Sequence, residues 1–174
     1  MRCFVGIMVP EHVKSSAAAL QDRIVGSGIK CKPVEWENMH ICLSFLGDVA
    51  ETESLGRELD AVAGRHGRFE VEIGKIKFVP SENYIRVIVL EATSADDSLE
   101  KLRKDVAETV GGDSKPPHLT LCRVKNVEDK KLLVEKFGSV ACNERFAVDR
   151  IHLIKSELGR SGPVYTVVHE SVLS

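Results

Sequence analysis

Two histidines in this sequence each open a run that otherwise reads as an apolar β-strand. The first run is HICLSFLG at residues 40–47, and the second is HLTLCRV at residues 118–124. Strand alternation predicts one polar face in each run: His40, Cys42 and Ser44 in the first, and His118, Thr120 and Cys122 in the second. An imidazole has an unperturbed pKa of ~6.5, so two facing imidazoles can give and take protons at neutral pH. The spacing therefore predicts a pair of acid–base groups.

On the residues alone, other roles for the two histidines stay open. A lone histidine at a strand end is usually held by a backbone carbonyl, but two at matching places, each followed by leucine three residues later, favour function. A zinc site is a second alternative, with the nitrogen and sulfur donors of His40, Cys42, His118 and Cys122 as ligands. These residues lack the tight spacing in the sequence that zinc ligands usually show. Cys42 or Cys122 would be a nucleophile activated by histidine, although no orienting acid is apparent. The remaining histidines lack such neighbours and are expected to be surface or structural: His12, His66, His152 and His169.

The composition is that of an ordinary soluble globular protein and narrows the class of partner. The chain has 174 residues, 43% of them hydrophobic, and a formal net charge of −2. Such a charge argues against a protein that grips long nucleic acid through its phosphates, whereas a small charged ligand is compatible with it. Five cysteines without a CxxC pair do not form a disulfide framework. With no apparent signal peptide and no run approaching ~18 apolar residues, we expect a cytoplasmic protein with no membrane segment.

The order of predicted elements is strand, helix, histidine strand, helix, strand, and then roughly the same order again. Helical spacing of apolar residues follows the first strand, and period-two alternation marks FEVEIGKIKFVP as a half-buried strand. This repetition predicts a single α+β domain over residues 1–174 with two pseudo-symmetric lobes, formed approximately by residues 1–80 and 81–174. Each lobe is expected to be a mostly antiparallel sheet with helices on one outer face. The two histidines would then face one another across the cleft between the lobes.

The two histidine runs resemble the paired H-x-T/S-x motifs of the 2H phosphoesterase superfamily. More specifically, the chain resembles the archaeal and bacterial RNA 2′,3′-cyclic phosphodiesterases, also called LigT-like proteins or 2′-5′ RNA ligases. The flanking segments FVGIMVP, PVEWENMH, PPHLTL and LIKSELGRSGPVYTVV are also similar to family segments, so that the resemblance covers nearly the whole chain.

This resemblance implies a metal-independent enzyme without a cofactor, which opens 2′,3′-cyclic phosphates to 2′-phosphates. In-line attack of water needs a base on one side of the phosphorus and an acid on the other. The resemblance assigns these roles to His118 as the proton acceptor and His40 as the proton donor. The implied partners are RNA 3′ ends, such as those of tRNA fragments, or nucleoside 2′,3′-cyclic phosphates. A monomer with no obligate protein partner is expected.

Four further site residues follow from the matched motifs. Thr120 and Cys42 stand where the family has hydroxyl residues that hold the phosphate, but Cys42 departs from the pattern, and its thiol is a weak donor. Phe45 and Arg123 each lie five residues after a histidine, where the family suggests a ring or guanidinium at the cleft rim. Strict alternation predicts instead that Phe45 faces the core, so a rim position requires a twist or bulge.

Two other functions are compatible with the same residues. One is an RNA ligase that joins a cyclic phosphate end to a 5′-hydroxyl through the same site. The other is a protein that binds RNA ends or nucleotides with little turnover, which the weak donor at Cys42 makes more plausible.

Overall fold

The computed structural model describes residues 1–174. The strands are β1 (Arg2–Met8), β2 (Lys30–Pro33), β3 (His40–Asp48), β4 (Phe69–Ser81), β5 (Tyr84–Thr93), β6 (His118–Asn126), β7 (Ala141–Val148), β8 (Arg150–Leu158) and β9 (Pro163–Val172). The helices are α1 (Glu11–Gly26), α2 (Glu53–Gly64), α3 (Ser98–Val110) and α4 (Lys130–Phe137), with a short 3-10 helix at Trp36–Asn38. Both histidine runs are strands, β3 and β6, and each strand begins at its histidine.

The strands form one curled sheet that divides in the middle. Their order is β7-β4-β5-β6-β3-β1-β8-β9, with β2 paired to β6, and every pairing is antiparallel. β3 and β6 meet through a single registered pair, Ile41 with Leu119. This short seam separates a β6 lobe (β7, β4, β5, β6 and β2) from a β3 lobe (β3, β1, β8 and β9). The predicted α+β class with two mostly antiparallel lobes is confirmed.

The lobes do not follow the two halves of the sequence. β4 belongs to the first half but pairs with β5 and β7 in the β6 lobe, whereas β8 and β9 belong to the second half and complete the β3 lobe. Helix α1 contacts β2, β6 and β7, and helix α3 makes most of its strand contacts with β3. The predicted lobes of residues 1–80 and 81–174 are therefore wrong in their boundaries. The order of elements along a chain does not specify which distant strands pair.

The helices bury the apolar faces that their spacing predicts. The buried positions of α1 include Val13, Ala17, Leu20 and Ile24, and those of α3 are Leu99, Leu102 and Val106. The buried apolar residues of both lobes form one continuous cluster, so the lobes share an interior. The longest helix, α1, has 16 residues. The structure contains no helix with both the length and the apolar character that a membrane span requires.

Candidate active site

The seam between the lobes sets the direction in which both histidines point. Ile41 and Leu119 pair across it and are fully buried in the core. Because side chains alternate along a strand, the residues on either side of this pair project from the opposite face of the sheet. That face carries His40 and Cys42 from β3, and His118 and Thr120 from β6. One seam therefore brings both motifs to a common surface.

A β-bulge in β3 changes the alternation after Cys42. Cys42 pairs with Gly6 and Ser44 with Val5, which leaves Leu43 as an extra residue. As a result Leu43 and Ser44 are both fully buried, and Phe45 turns toward the cleft with 36% of its surface exposed. The prediction that Ser44 shares the polar face of His40 is wrong, and its hydroxyl donates a hydrogen bond of 2.6 Å to the carbonyl oxygen of Gly111.

A second β-bulge occurs at the equivalent place in β6. Thr120 pairs with Val89 and Cys122 with Ile88, which leaves Leu121 as the extra residue. Cys122 is consequently fully buried in the core, and the prediction that it shares a face with His118 is wrong. Arg123 turns toward the cleft in the same way as Phe45. The bulge supplies the local change of direction that a rim position for these two residues requires.

The cleft between the lobes has a volume of about 280 Å³ and contains all six residues predicted for the site. These are His40, Cys42, Phe45, His118, Thr120 and Arg123. The lining also includes residues that the sequence reasoning did not assign, chiefly Phe4, Lys32, Glu35, Asn38 and Tyr165. They come from β1, from β2, from the 3-10 helix and the segment before it, and from β9, so the long-range strand order brings them together. Phe4, Glu35, Asn38 and Tyr165 lie in the flanking segments that resemble family segments, but no pattern in those segments indicated a role for them.

The two imidazoles are held in the same way. His40 Nδ1 lies 2.7 Å from the carbonyl oxygen of Asn38, and His118 Nδ1 lies 2.9 Å from that of Pro116. A carbonyl oxygen only accepts, so each Nδ1 carries the proton and donates it. Each neutral ring therefore keeps its Nε2 as a free lone pair. In both motifs the acceptor stands two residues before the histidine, which fixes the tautomer and the orientation of the ring.

His40 lies within an aromatic cluster on the wall of the β3 lobe. Its ring centroid is 4.6 Å from that of Phe4 and 5.4 Å from that of Tyr165. Burial lowers the pKa of His40 below its ordinary value, whereas the hydrogen bond to Asn38 opposes this shift. The charge of Arg123, and that of His118 when it is protonated, lower the pKa further. The free protein therefore holds this imidazole in its neutral form more readily than a solvated histidine.

An anion in the cleft should reverse the shift at His40. In the free protein, NMR titration of the ring is expected to give a pKa below the ordinary histidine value, because burial disfavours the imidazolium. Adding inorganic phosphate should raise this pKa, since a nearby negative charge favours the protonated ring. The four histidines outside the cleft are internal controls and should not respond. A His40 that titrates at or above the ordinary value in the free protein would contradict this description of the site.

Gly6 forms the floor beneath His40. A Cβ at this position would lie 2.8 Å from the carbonyl oxygen of Ile41, 3.4 Å from the Phe4 ring and 3.6 Å from Cδ2 of His40. The absence of a side chain therefore lets the two rings meet above the strand. We expect Gly6→Ala to destabilise the protein by about 1–3 kcal/mol through overpacking and to lower kcat by displacing His40. Thermal unfolding and steady-state kinetics measure both effects. Gly64→Ala is the matched control, because a Cβ at Gly64 meets no atom within 4 Å.

The cysteines do not support a thiolate nucleophile or a zinc site. Burial, with a smaller contribution from the charge of Asp113, raises the pKa of the Cys42 thiol to about 11, so this thiol stays protonated at neutral pH. Burial raises the pKa of Cys122 to about 12, and this residue contacts Cys31 inside the core. Because Cys122 does not reach the cleft, the set of two histidines and two cysteines is not assembled. The zinc interpretation of the sequence is not supported by this geometry.

Charged groups at the cleft leave one guanidinium without a carboxylate partner. The ammonium of Lys32 lies 3.7 Å from the Glu35 carboxylate and donates a 2.7 Å hydrogen bond to the carbonyl oxygen of Ser161. Arg123, which pairs with Lys32 across β6 and β2, is exposed and makes no salt bridge. A free guanidinium beside two imidazoles favours an anionic ligand.

The other four histidines lie outside the cleft, as predicted. His12 Nε2 is 2.8 Å from the carbonyl oxygen of Arg145. All four are beside carboxylates: His12 near Glu144, His66 near Asp105, His152 near Glu170 and His169 near Asp60. None of these partners lines the cleft.

Comparisons with known proteins identify the family of this chain. The profile of the 2′-5′ RNA ligase superfamily matches residues 9–160. The chain is 36% identical to the RNA 2′,3′-cyclic phosphodiesterase of Methanocaldococcus jannaschii, over 98% of this chain and 99% of that relative. It is 30% identical to the RNA 2′,3′-cyclic phosphodiesterase of Aquifex aeolicus, over 99% and 97% of the two chains. The crystal structure of TT0787 of Thermus thermophilus superimposes with a TM-score of 0.81 at 26% identity, covering 99% of this chain and 98% of that one. The chain therefore belongs to the 2′-5′ RNA ligase superfamily, as its two histidine motifs indicated.

Proposed function

We propose that this protein hydrolyses the 2′,3′-cyclic phosphate ends of RNA to 2′-phosphates, with His118 and His40 as the acid–base pair. The observation that carries the proposal is the pair of imidazoles, each locked through Nδ1 and each lining the cleft from a different lobe. The substrate class is that of the relatives from M. jannaschii and A. aeolicus, which are RNA 2′,3′-cyclic phosphodiesterases.

Two proton transfers accompany the attack on phosphorus. Nε2 of His118 takes a proton from water while the water oxygen bonds to phosphorus. The bond from phosphorus to O3′ breaks on the opposite side, and His40 donates the proton from its Nε2 to that oxygen. The product carries a 2′-phosphate and a 3′-hydroxyl. His118 leaves the step protonated and His40 neutral, and exchange with solvent restores both.

The proton donor must be charged before this step, although burial lowers the pKa of His40. The substrate supplies the compensating charge, because a phosphodiester anion beside the ring favours the imidazolium. Binding therefore prepares the acid only when the anion is present. The neutral ring is favoured while the cleft is empty.

Donors on both walls hold the non-bridging oxygens, on which negative charge develops. Thr120 contributes a hydroxyl from the β6 lobe, and Cys42 contributes a thiol from the β3 lobe. Arg123 adds a full positive charge at the rim. Such donors contribute most in the transition state, where the charge is greatest.

The ring of Phe45 provides a surface for the base at the end of the RNA. Arg2 lies over this ring, with its guanidinium carbon 5.2 Å from the centroid, so that one face of the ring is already covered. The ring lines the cleft and is partly exposed, so it offers a surface for stacking, which tolerates any base. We therefore expect little discrimination among terminal bases.

Product analysis with a chelator present tests this function. The purified protein is incubated with an oligonucleotide that ends in a 2′,3′-cyclic phosphate, in the presence of EDTA and a second oligonucleotide with a 5′-hydroxyl. We expect a 2′-phosphate end and full activity in EDTA, because the histidines carry the protons. A 3′-phosphate end, or activity that disappears with a stoichiometric metal, would overturn the mechanism. A 2′-5′ joined product would favour the ligase, and binding without turnover would favour the binding protein.

A further inference from the structure

Tyr165 projects from β9 into the cleft and touches the proposed acid. Its ring meets that of His40 edge-on, with centroids 5.4 Å apart and planes at 83°. It also packs edge-on against Phe4, at 5.0 Å and 71°. These contacts hold the ring in one orientation, because Phe4 is buried and His40 is fixed by its hydrogen bond to Asn38. The position of the phenol is thus set by packing.

The hydroxyl of this tyrosine has no hydrogen-bond partner in the protein, although a Tyr hydroxyl in a packed position usually finds one. This hydroxyl is also not fully buried. The only fully buried side-chain polar atom without a hydrogen-bond partner is Nδ1 of His152. The phenol is therefore open to the cleft. Burial raises its pKa, so the group stays protonated at neutral pH and is available as a donor.

The surroundings of the hydroxyl indicate what it would meet. Tyr165 lines the same cleft as Arg123, Cys42 and Glu35. Arg123 and Cys42 are proposed to surround the phosphate. Glu35 already accepts a hydrogen bond from Asn38 and pairs with Lys32. The phenol thus lies near the wall on which the thiol of Cys42 is the proposed phosphate donor.

The two walls of the cleft differ in their donors. The β6 lobe presents the Thr120 hydroxyl, whereas the β3 lobe presents only a thiol, which is a weak donor. A phenol is a much better donor than a thiol. We propose that the Tyr165 hydroxyl donates to a non-bridging phosphate oxygen on the Cys42 side and takes over part of the contact that this thiol makes poorly. This assignment of Tyr165 as a catalytic residue rests on the proposed function.

A double-mutant cycle tests the assignment. Native protein, Tyr165→Phe, Cys42→Thr and the double variant are compared on 2′,3′-cyclic AMP, with kcat and KM determined for each. Phenylalanine keeps the ring contacts to His40 and Phe4, so only the hydroxyl is removed. We expect Tyr165→Phe to lower kcat by about 10²-fold with a smaller change in KM. In the Cys42→Thr background the loss should be at least several-fold smaller, because the new hydroxyl serves the same oxygen. Tyr84→Phe is the matched control, since Tyr84 is the other tyrosine and is 59% exposed.

Three results would overturn the assignment: unchanged kcat in Tyr165→Phe, an equal loss in both backgrounds, or an effect on KM alone, which would indicate contact with the base or ribose. The affinity of each variant for inorganic phosphate, measured by calorimetry, distinguishes a failure of this assignment from a failure of the proposed reaction. If the native protein does not turn over 2′,3′-cyclic AMP but Tyr165→Phe weakens phosphate binding, the contact stands and the proposed reaction falls. If the native protein turns over the substrate and the variant matches it in both rate and phosphate affinity, the reaction stands and the assignment falls.

Discussion

Replacing either His40 or His118 with alanine should lower kcat by about 10²- to 10⁴-fold, the range typical of a lost acid or base. Both rings are partly exposed at the cleft and contribute little to the core, so the variants should remain folded. Steady-state kinetics on a nucleoside 2′,3′-cyclic phosphate, with circular dichroism to check the fold, measure the effect. The double variant should be only slightly worse than either single variant, because the two groups act as a unit.

The control for this experiment is a histidine outside the cleft. His12 is at the surface and contacts the carbonyl oxygen of Arg145, so His12→Ala should leave kcat unchanged. Activity close to that of the native protein in His40→Ala or His118→Ala would exclude the two-histidine mechanism. Losses that simply add in the double variant would indicate that the two rings act in separate steps.

The second large effect concerns the donors that follow each histidine. Thr120→Val keeps the shape of the side chain but removes its hydroxyl, and it should lower kcat by about 10²- to 10³-fold. Cys42→Thr adds a hydroxyl where the thiol is a weak donor, and it should raise kcat by ~10-fold. This gain in kcat should be larger in the Tyr165→Phe background, because the Tyr165 hydroxyl on β9 then no longer contributes to the phosphate contact. KM should change less than kcat in each case, since the contacts tighten in the transition state.

Thr93→Val is the matched control for loss of a threonine hydroxyl, because Thr93 is exposed at the end of β5. It should have no effect on kcat. If Cys42→Thr leaves the rate unchanged while Thr120→Val abolishes it, the β3 lobe holds phosphate through other donors. The interpretation of Cys42 as a weakened contact would then be wrong.

The parts of the site that lie before the bulges could be predicted from the sequence. Histidine followed by alternating apolar residues identified two strands, and alternation alone placed His40 with Cys42 and His118 with Thr120. Alternation failed two residues later, at Ser44 and Cys122. A bulge depends on which strand lies alongside and in what register, and a single strand does not encode that pairing.

The rest of the cleft depends on long-range order. Phe4 and Tyr165 stand near opposite ends of the chain, and β1 and β9 bring them together only because β8 lies between these two strands. The exchange of β4, β8 and β9 between the lobes has the same cause. Helical and strand periodicities describe each element, but the choice among possible partners is made by packing across the whole core.

A substrate with sulfur in place of the bridging O3′ tests the division of roles most directly. A thiolate leaves near neutral pH without a proton, whereas an alkoxide does not, so this substrate needs the base but not the acid. His40→Ala should therefore turn over the sulfur-bridged cyclic nucleotide at a rate close to that of the native protein, while His118→Ala should remain as impaired as on the oxygen substrate. Rescue of His118→Ala instead of His40→Ala would reverse the roles, and rescue of neither would contradict a proton donor at O3′.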